Sequence, residues 1–279
     1  MNRTVRFILY AVITAICILA VFVGVYAIIF KQQTKGNVVS DANAVNEVDD
    51  SKNKVKDSFK DLFTNQYLAS NYRETDIEKL DPSKEIVYEA LTYTETKENL
   101  YELDLHVPMI NINNEIVSQY NENTQNVFLQ KANEIMSGKY KDQFTVYDVY
   151  FTSYVNNNIL SVAIMANLKQ GNSAQRTMVQ TYNYNLETNQ EVPIKDILAE
   201  RGLDTEIVNK KINEVVEKAN ESASSVSDAG YEVYQRDLAS DMYRANNVKT
   251  FIQGPNGELY IIYAYGNNAF TSEMDVIEI

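Results

Sequence analysis

The chain has one cysteine, one histidine and no tryptophan in 279 residues. A single cysteine cannot close an intrachain disulfide, and one cysteine with one histidine cannot supply a structural zinc site. Iron sites built on two histidines and a carboxylate are excluded for the same reason. Glycine (9) and proline (4) are scarce, so most of the chain should be regular structure rather than linker. Cationic residues are also few, with 25 Lys and Arg against 38 Asp and Glu and a net charge of −13. That removes the basic footprint of unspecific nucleic-acid binding, and no nucleic-acid partner is expected. A Gly-rich phosphate loop, a Gly-x-Ser-x-Gly nucleophile elbow and an EF-hand loop are all missing. The expectation is a non-catalytic protein with no cofactor and no metal.

What the chain does have begins with Phe7–Phe30, 24 residues without a charge. As a helix this run spans about 36 Å, enough to cross a hydrocarbon core of ~30 Å. Tyr10 and Tyr26 lie near its two ends, at the level of the aromatic belts. It is longer than the apolar stretch of a cleaved signal peptide, about 7–15 residues, which favours a retained anchor. Arg3 and Arg6 precede the span and no acid does. The expected arrangement is a cytoplasmic tail (1–6), a single-pass transmembrane helix (7–30), an extracytoplasmic linker (31–57) and an extracytoplasmic domain (58–279). Residues 36–279 hold 21 cationic and 38 acidic residues, a net charge of −17. Export without disulfides fits a Gram-positive type of cell envelope.

Within the exported part, Phe59, Leu62, Phe63 and Tyr67 recur at helical spacing, a short helix expected to pack on the domain. Strands are expected over 85–94 and 100–108; in the second, Leu103, Leu105 and Val107 alternate with Asp104 and His106. A long helix follows over 113–136, closed by Ser137-Gly138. Three strands, 144–155, 159–169 and 176–186, should then form an antiparallel meander with one helix-covered side. A short helix over 193–200 precedes an amphipathic one carrying Ile207, Val208, Ile212, Val215, Val216 and Ala219, with Asp204 at its N-cap. Another helix is expected over Tyr231, Tyr234, Leu238, Met242 and Ala245, then strands 248–253, 258–265 and 274–279. Segregated strands and helices predict an α+β fold, an antiparallel sheet covered by amphipathic helices.

Two strings carry a family resemblance. One is Val107-Pro108-Met109-Ile110-Asn111 with Asn114-Glu115-Ile116 and Tyr120-Asn121; the other runs from Tyr182 through Asn189 to Leu198. Over roughly residues 85–279 the order of elements resembles the exported region shared by RsiV-type anti-sigma factors and PdaC-type peptidoglycan deacetylases. The chain departs from that family in three ways. Asn189 stands where the family usually has Gly, and the last aromatic strand, Tyr260–Gly266, matches only loosely. The six residues before the span are too few for a sigma-gripping domain, and one histidine cannot build the deacetylase metal site. The resemblance implies an envelope sensing or binding domain, with a lysozyme-like cationic protein or a cell-wall polymer as partner.

His106 could serve a Ser-His-acid site, but its place in an alternating strand points to a solvated-face or a satisfied polar side chain. A carboxylate pair for glycoside cleavage would need only two of the 38 acids, Glu273 and Asp275 among them. The twenty tyrosines are the one enrichment of functional interest. Tyr147, Phe151, Tyr182, Tyr184, Tyr263, Tyr265 and Phe270 lie in or beside expected strands, where they serve either as core or as rings for a sugar or protein partner. Tyr182, Tyr184, Tyr263, Tyr265 and Phe270 are the candidate binding residues.

Overall fold

The computed structural model describes residues 54–70, 77–230, 232–269 and 271–279. The chain divides into two units, Met1–Asp50 and Ser51–Ile279, and every described residue belongs to the second. The expected span 7–30, most of the expected linker, Tyr231 and Phe270 lie outside the described residues. Among the described residues no helix is long and apolar enough to cross a membrane. Helix α1 (54–60) begins inside the expected linker.

The alternating runs fold into a seven-stranded sheet. Its strands are β1 (Tyr67–Ser70), β2 (Val87–Lys97), β3 (Tyr101–Ile110), β4 (Thr145–Asn156), β5 (Ile159–Gln170), β6 (Arg176–Asn185) and β7 (Gln190–Glu191). Their order is β2-β3-β4-β5-β6-β7, with β1 beside β4. The expected meander is β4–β5–β6, antiparallel throughout. Its first turn places Asn157 and Asn158 at φ +50° and +63°, the backbone that a tight hairpin needs. A wholly antiparallel sheet is not what forms. β3 runs parallel to β4 from Tyr101↔Thr145 to Leu105↔Val149, and β1 runs parallel to β4 from Tyr67↔Ser153 to Ser70↔Asn156. The long helical crossover between β3 and β4 returns the chain to the end where β3 began, so the two strands share a direction.

That crossover is the helix expected over 113–136, in three pieces: α2 (Glu115–Thr124), a π turn (Gln125–Leu129) and α3 (Gln130–Met136). Asn114 caps it, its side chain accepting from the Ile116 amide at 2.9 Å. Within the π turn, the Phe128 carbonyl accepts from the buried Tyr147 hydroxyl. Asn121 clamps α2 to β3, both accepting from and donating to the Ile110 backbone at 2.9 Å. Buried Asn111 does the same for the Asp81 backbone, at 2.8 and 2.7 Å. The asparagines of the first resemblance string are therefore fixtures of the fold. In the second, Asn189 adopts φ +57°, a backbone open to Asn as well as Gly.

A second, three-stranded sheet comprises β8 (Phe251–Gln253), β9 (Leu259–Ala264) and β10 (Met274–Glu278), with β9 in the middle. Period-2 alternation gives β9 two apolar faces. Tyr260 and Ile262 meet Tyr154, Ala163 and Met165 of the large sheet, where Phe59 of α1 is also buried. Leu259, Ile261 and Tyr263 pack with residues of α4 (Ile194–Glu200) and α5 (Thr205–Asp228), among them Ile197, Val208 and Ile212. On the far side of the large sheet, Leu103, Leu105, Tyr147 and Val149 pack with Val117, Phe128 and Ile135 of the crossover. The layers run helix, sheet, sheet, helix, so the fold is α+β with a second sheet where one helix-covered sheet was expected.

Two further expectations are corrected. Asp204 does cap α5, accepting from the Glu206 amide at 2.8 Å, but Ile207 is 65% exposed and belongs to the solvent side. No helix forms over 232–240; only short 3-10 turns follow, at Asp241–Tyr243 and Ala245–Asn247. The helical spacing there misleads because its members have separate partners. Tyr234 stacks on Tyr265 with centroids 4.1 Å apart, while Leu238 is exposed.

Candidate functional site

The small sheet covers only part of the large sheet's second face. Tyr154 and Thr152 of β4 are buried beneath it, whereas Tyr150, Asp148 and Val146 of the same row are half-exposed. The neighbouring residues of β3 on this face, His106, Asp104 and Glu102, are half-buried to exposed. This strip, partly exposed among the described residues, crosses β2, β3 and the first half of β4.

A β-bulge puts one acid there. The β2–β3 register steps from Glu89↔Pro108 to Leu91↔Val107, leaving Ala90 unpaired. The extra residue reverses the alternation of β2, so Glu89 joins Thr92 and Thr94 on the open face. Pro108 is tolerated because β3 has already left β4, the last pair being Leu105↔Val149. Glu89 reaches Nδ1 of His106, and Asp104 Oδ1 lies 3.3 Å from its Nε2. Thr92 donates to Glu89 at 2.7 Å. The imidazole also stacks on Tyr150, centroids 5.4 Å apart and planes 19° from parallel. His106 is therefore a satisfied polar side chain, held between two carboxylates and a ring.

A row of five polar residues crosses the sheet in direct register: Thr94, Asp104, Asp148, Asn167 and Thr177. Thr94 donates to Asp104 at 3.0 Å, and Thr177 donates to Asn167 at 2.8 Å. The two aspartates sit side by side because β3 and β4 are parallel there, and their environments differ. Burial opposes the Asp104 charge, but hydrogen bonds from Tyr150 and Thr94 and the nearby His106 outweigh it and hold the carboxyl below its usual range. Among the described residues Asp148 has no such donors. Burial first, then the charges of Asp104 and Glu102, push its carboxyl up. One aspartate is kept ionised and its neighbour is the readier to hold a proton. Among the described residues no cluster of three or more His, Cys, Asp or Glu could hold a metal ion.

The sequence-derived binding residues are elsewhere. Tyr182, Tyr184, Tyr263 and Tyr265 are all buried, so these four present no ring to a partner; Phe270 lies outside the described residues. Tyr182 stacks on Tyr120 at 4.4 Å, and Tyr263 meets Tyr243 edge-on at 5.0 Å. Tyr147 and Phe151 are core. Glu273 and Asp275 are no ordinary strand-end charges, since Asp275 is buried and bound by Arg236. The residues missed were Glu89, Asp148 and Tyr150. The alternation of Asp104 and His106 pointed to the face, but neither the bulge nor the parallel pairing could be read from one strand.

No protein-family model and no curated protein matches the chain. Solved structures similar to it include two DUF3298 family proteins. One is a DUF3298 family protein from Pseudomonas aeruginosa, 12% identical, covering 74% of this chain and 91% of its own length with a TM-score of 0.36. The other is a DUF3298 family member from Bacteroides fragilis, also 12% identical, covering 64% of this chain and 80% of its own, with a TM-score of 0.35.

Proposed function

We propose that the chain is a membrane-anchored extracytoplasmic binding or sensing domain of the RsiV-like type, non-catalytic, acting at the cell envelope. Its partner is cationic, a lysozyme-like protein or a basic cell-wall polymer, and docks on the partly exposed strip of the large sheet. The observation that carries this reading is the Asp104–Asp148 row, flanked by Glu89 and Glu102 on a sheet face left partly exposed among the described residues. A net charge of −17 beyond residue 35 supports it by steering cations toward the domain. Surface-plasmon titration of the full chain against lysozyme and against wall fragments, at two salt concentrations, tests it. Association should slow as salt rises, because charges in water are screened over about 8 Å at physiological ionic strength. Asp104→Asn with Glu89→Gln should weaken binding to both. Absence of binding at low salt would leave a purely structural envelope role. The anchor is tested with intact protoplasts, where added protease should digest the chain from Ser40 onward; a protected domain would overturn the topology.

The second reading is a cell-wall hydrolase using a carboxylate pair, and one observation favours it. Asp104 and Asp148 are neighbours whose proton affinities are driven apart, the pattern that divides a base from an acid. Sugar release from wall fragments, abolished by Asp148→Asn, would establish this reading instead.

A further inference from the structure

We infer that the cavity between the start of β3 and the end of α3 is a binding site for a small carboxylate with a single-ring apolar body. It lies on the helix-covered side of the large sheet, where Tyr101 points the same way as Leu103 and Leu105, and is separate from the open polar strip.

Size sets the body of the ligand. The cavity holds about 150 Å³. An open pocket of that volume has room for a benzene ring. Leu100, Ile135 and Met136 supply apolar surface, and the rings of Tyr101 and Tyr140 supply flat surface. Gly138 adds no side chain to fill the space.

Charge sets the head of the ligand. The exposed Lys97 and Lys141 also line the cavity. The Lys97 amine stands 5.9 Å from the centre of the Tyr101 ring. Two nearby acids are occupied. Glu95 accepts from the Tyr93 and Tyr101 hydroxyls at 2.6 and 2.7 Å. Glu134 accepts from Lys139, Lys131 and Tyr140, which together hold its carboxyl down at about 2. Among the described residues neither Lys97 nor Lys141 has an ion-pair partner. In a chain of net charge −13, two amines without an ion-pair partner beside a cavity of mixed polar and apolar lining select an anion that sets its ring against the apolar part and leaves its carboxylate at the rim.

The test is isothermal titration of the full chain with benzoate, benzamide and benzylamine at constant ionic strength. Benzoate should bind saturably with a Kd of about 1 mM or tighter, and the neutral and cationic rings about tenfold more weakly or worse. Lys97→Gln/Lys141→Gln should weaken benzoate about tenfold. Its thermal melt should match the parent's, because both side chains are exposed. No saturation by about 10 mM benzoate would overturn the inference. Equal affinity for benzamide would remove the role of the amines, and unchanged benzoate affinity in the double variant would place the ligand elsewhere; either result overturns it too.

Discussion

Arg236 and Asp275 are joined by two parallel hydrogen bonds, Nε to Oδ2 at 2.6 Å and Nη2 to Oδ1 at 2.9 Å, with side chains only 5% and 6% exposed. The pair ties the irregular segment after α5 to β10. It is supported on all sides. Tyr265 donates to Asp275 at 2.6 Å, Tyr243 and Tyr265 share a hydrogen bond at 3.0 Å, and Asn220 accepts from the Arg236 amide at 3.1 Å. Burial works against the Arg236 charge, yet the Asp275 hydrogen bonds and attraction raise its pKa overall. Removing one partner leaves the other charge buried and poorly paired, which costs about 3–5 kcal/mol. Asp275→Asn should therefore lower the melting temperature by about 10 °C or more. Arg236→Met/Asp275→Leu should recover part of that loss, because no charge is then stranded. An Asp275→Asn protein that melts with the parent would mean the pair is not buried in solution.

Gly266 is required for space rather than for backbone angle. A Cβ there would lie 2.0 Å from the Thr177 carbonyl oxygen and 2.7 Å from that of Thr271. Both obstacles are backbone, so neither can swing aside as a side chain could. Arg176 also donates to the Gly266 carbonyl, fixing the turn against β6. Gly266→Ala should destabilise by about 1–3 kcal/mol, read as a lower urea midpoint with an unchanged slope. An unchanged midpoint would show that the approach is looser than described.

Helix α5 allows a test of which residues its apolar stripe contains. Ile212 is fully buried against the small sheet, whereas Ile207 is 65% exposed. Ile212→Ala should cost about 2–5 kcal/mol, and Ile207→Ala should stay within ~0.5 kcal/mol of the parent. Ile212→Asp should be worse still, while Lys211→Asp, on the exposed side, should be tolerated. Similar urea midpoints for the two isoleucine variants would mean the helix is rotated.

These cases show how far the sequence could be read. Alternation located the long strands and helical spacing located α5 because both patterns are local, arising from one element against one core. Ile207 misled because it directly precedes Val208, and a residue one step along a helix is turned about 100° from its neighbour, here out to solvent. The segment around Tyr234 misled because its apolar residues have separate partners. The open strip was legible only as Asp104 beside His106. Glu89 needed the bulge at Ala90, and Asp148 needed the parallel pairing of β3 with β4. Both are relations between strands, and a single strand's sequence contains neither. The buried tyrosines were misjudged for a similar reason: Tyr182 and Tyr184 are covered by the crossover helix, and Tyr263 and Tyr265 pack with α4, α5 and the turn at Tyr243, all distant in sequence from the strands they cover.

Asp104 and Asp148 should respond to pH with opposite signs. The folded pKa of Asp104 is lowered by its hydrogen bonds and by His106, so its charge stabilises the fold. That contribution is complete above the unfolded value of about 3.9 and is lost as pH falls through the lower folded value. The folded pKa of Asp148 is raised by burial and by Asp104 and Glu102, so its charge destabilises the fold. The penalty is complete above the folded value and is relieved as pH falls through it toward about 3.9. Melting curves of the full chain should then show Asp148→Asn above the parent at about pH 7, with the gain shrinking toward about pH 4. Asp104→Asn should melt below the parent at about pH 7, and its deficit should close only in stronger acid, below about pH 4. The double variant should fall short of the sum of the two effects, because neutralising either aspartate relieves the repulsion between them. A drop in melting temperature for Asp148→Asn at neutral pH would show that Asp148 is held by donors rather than crowded by its neighbour, and the acid–base division of the pair would go with it.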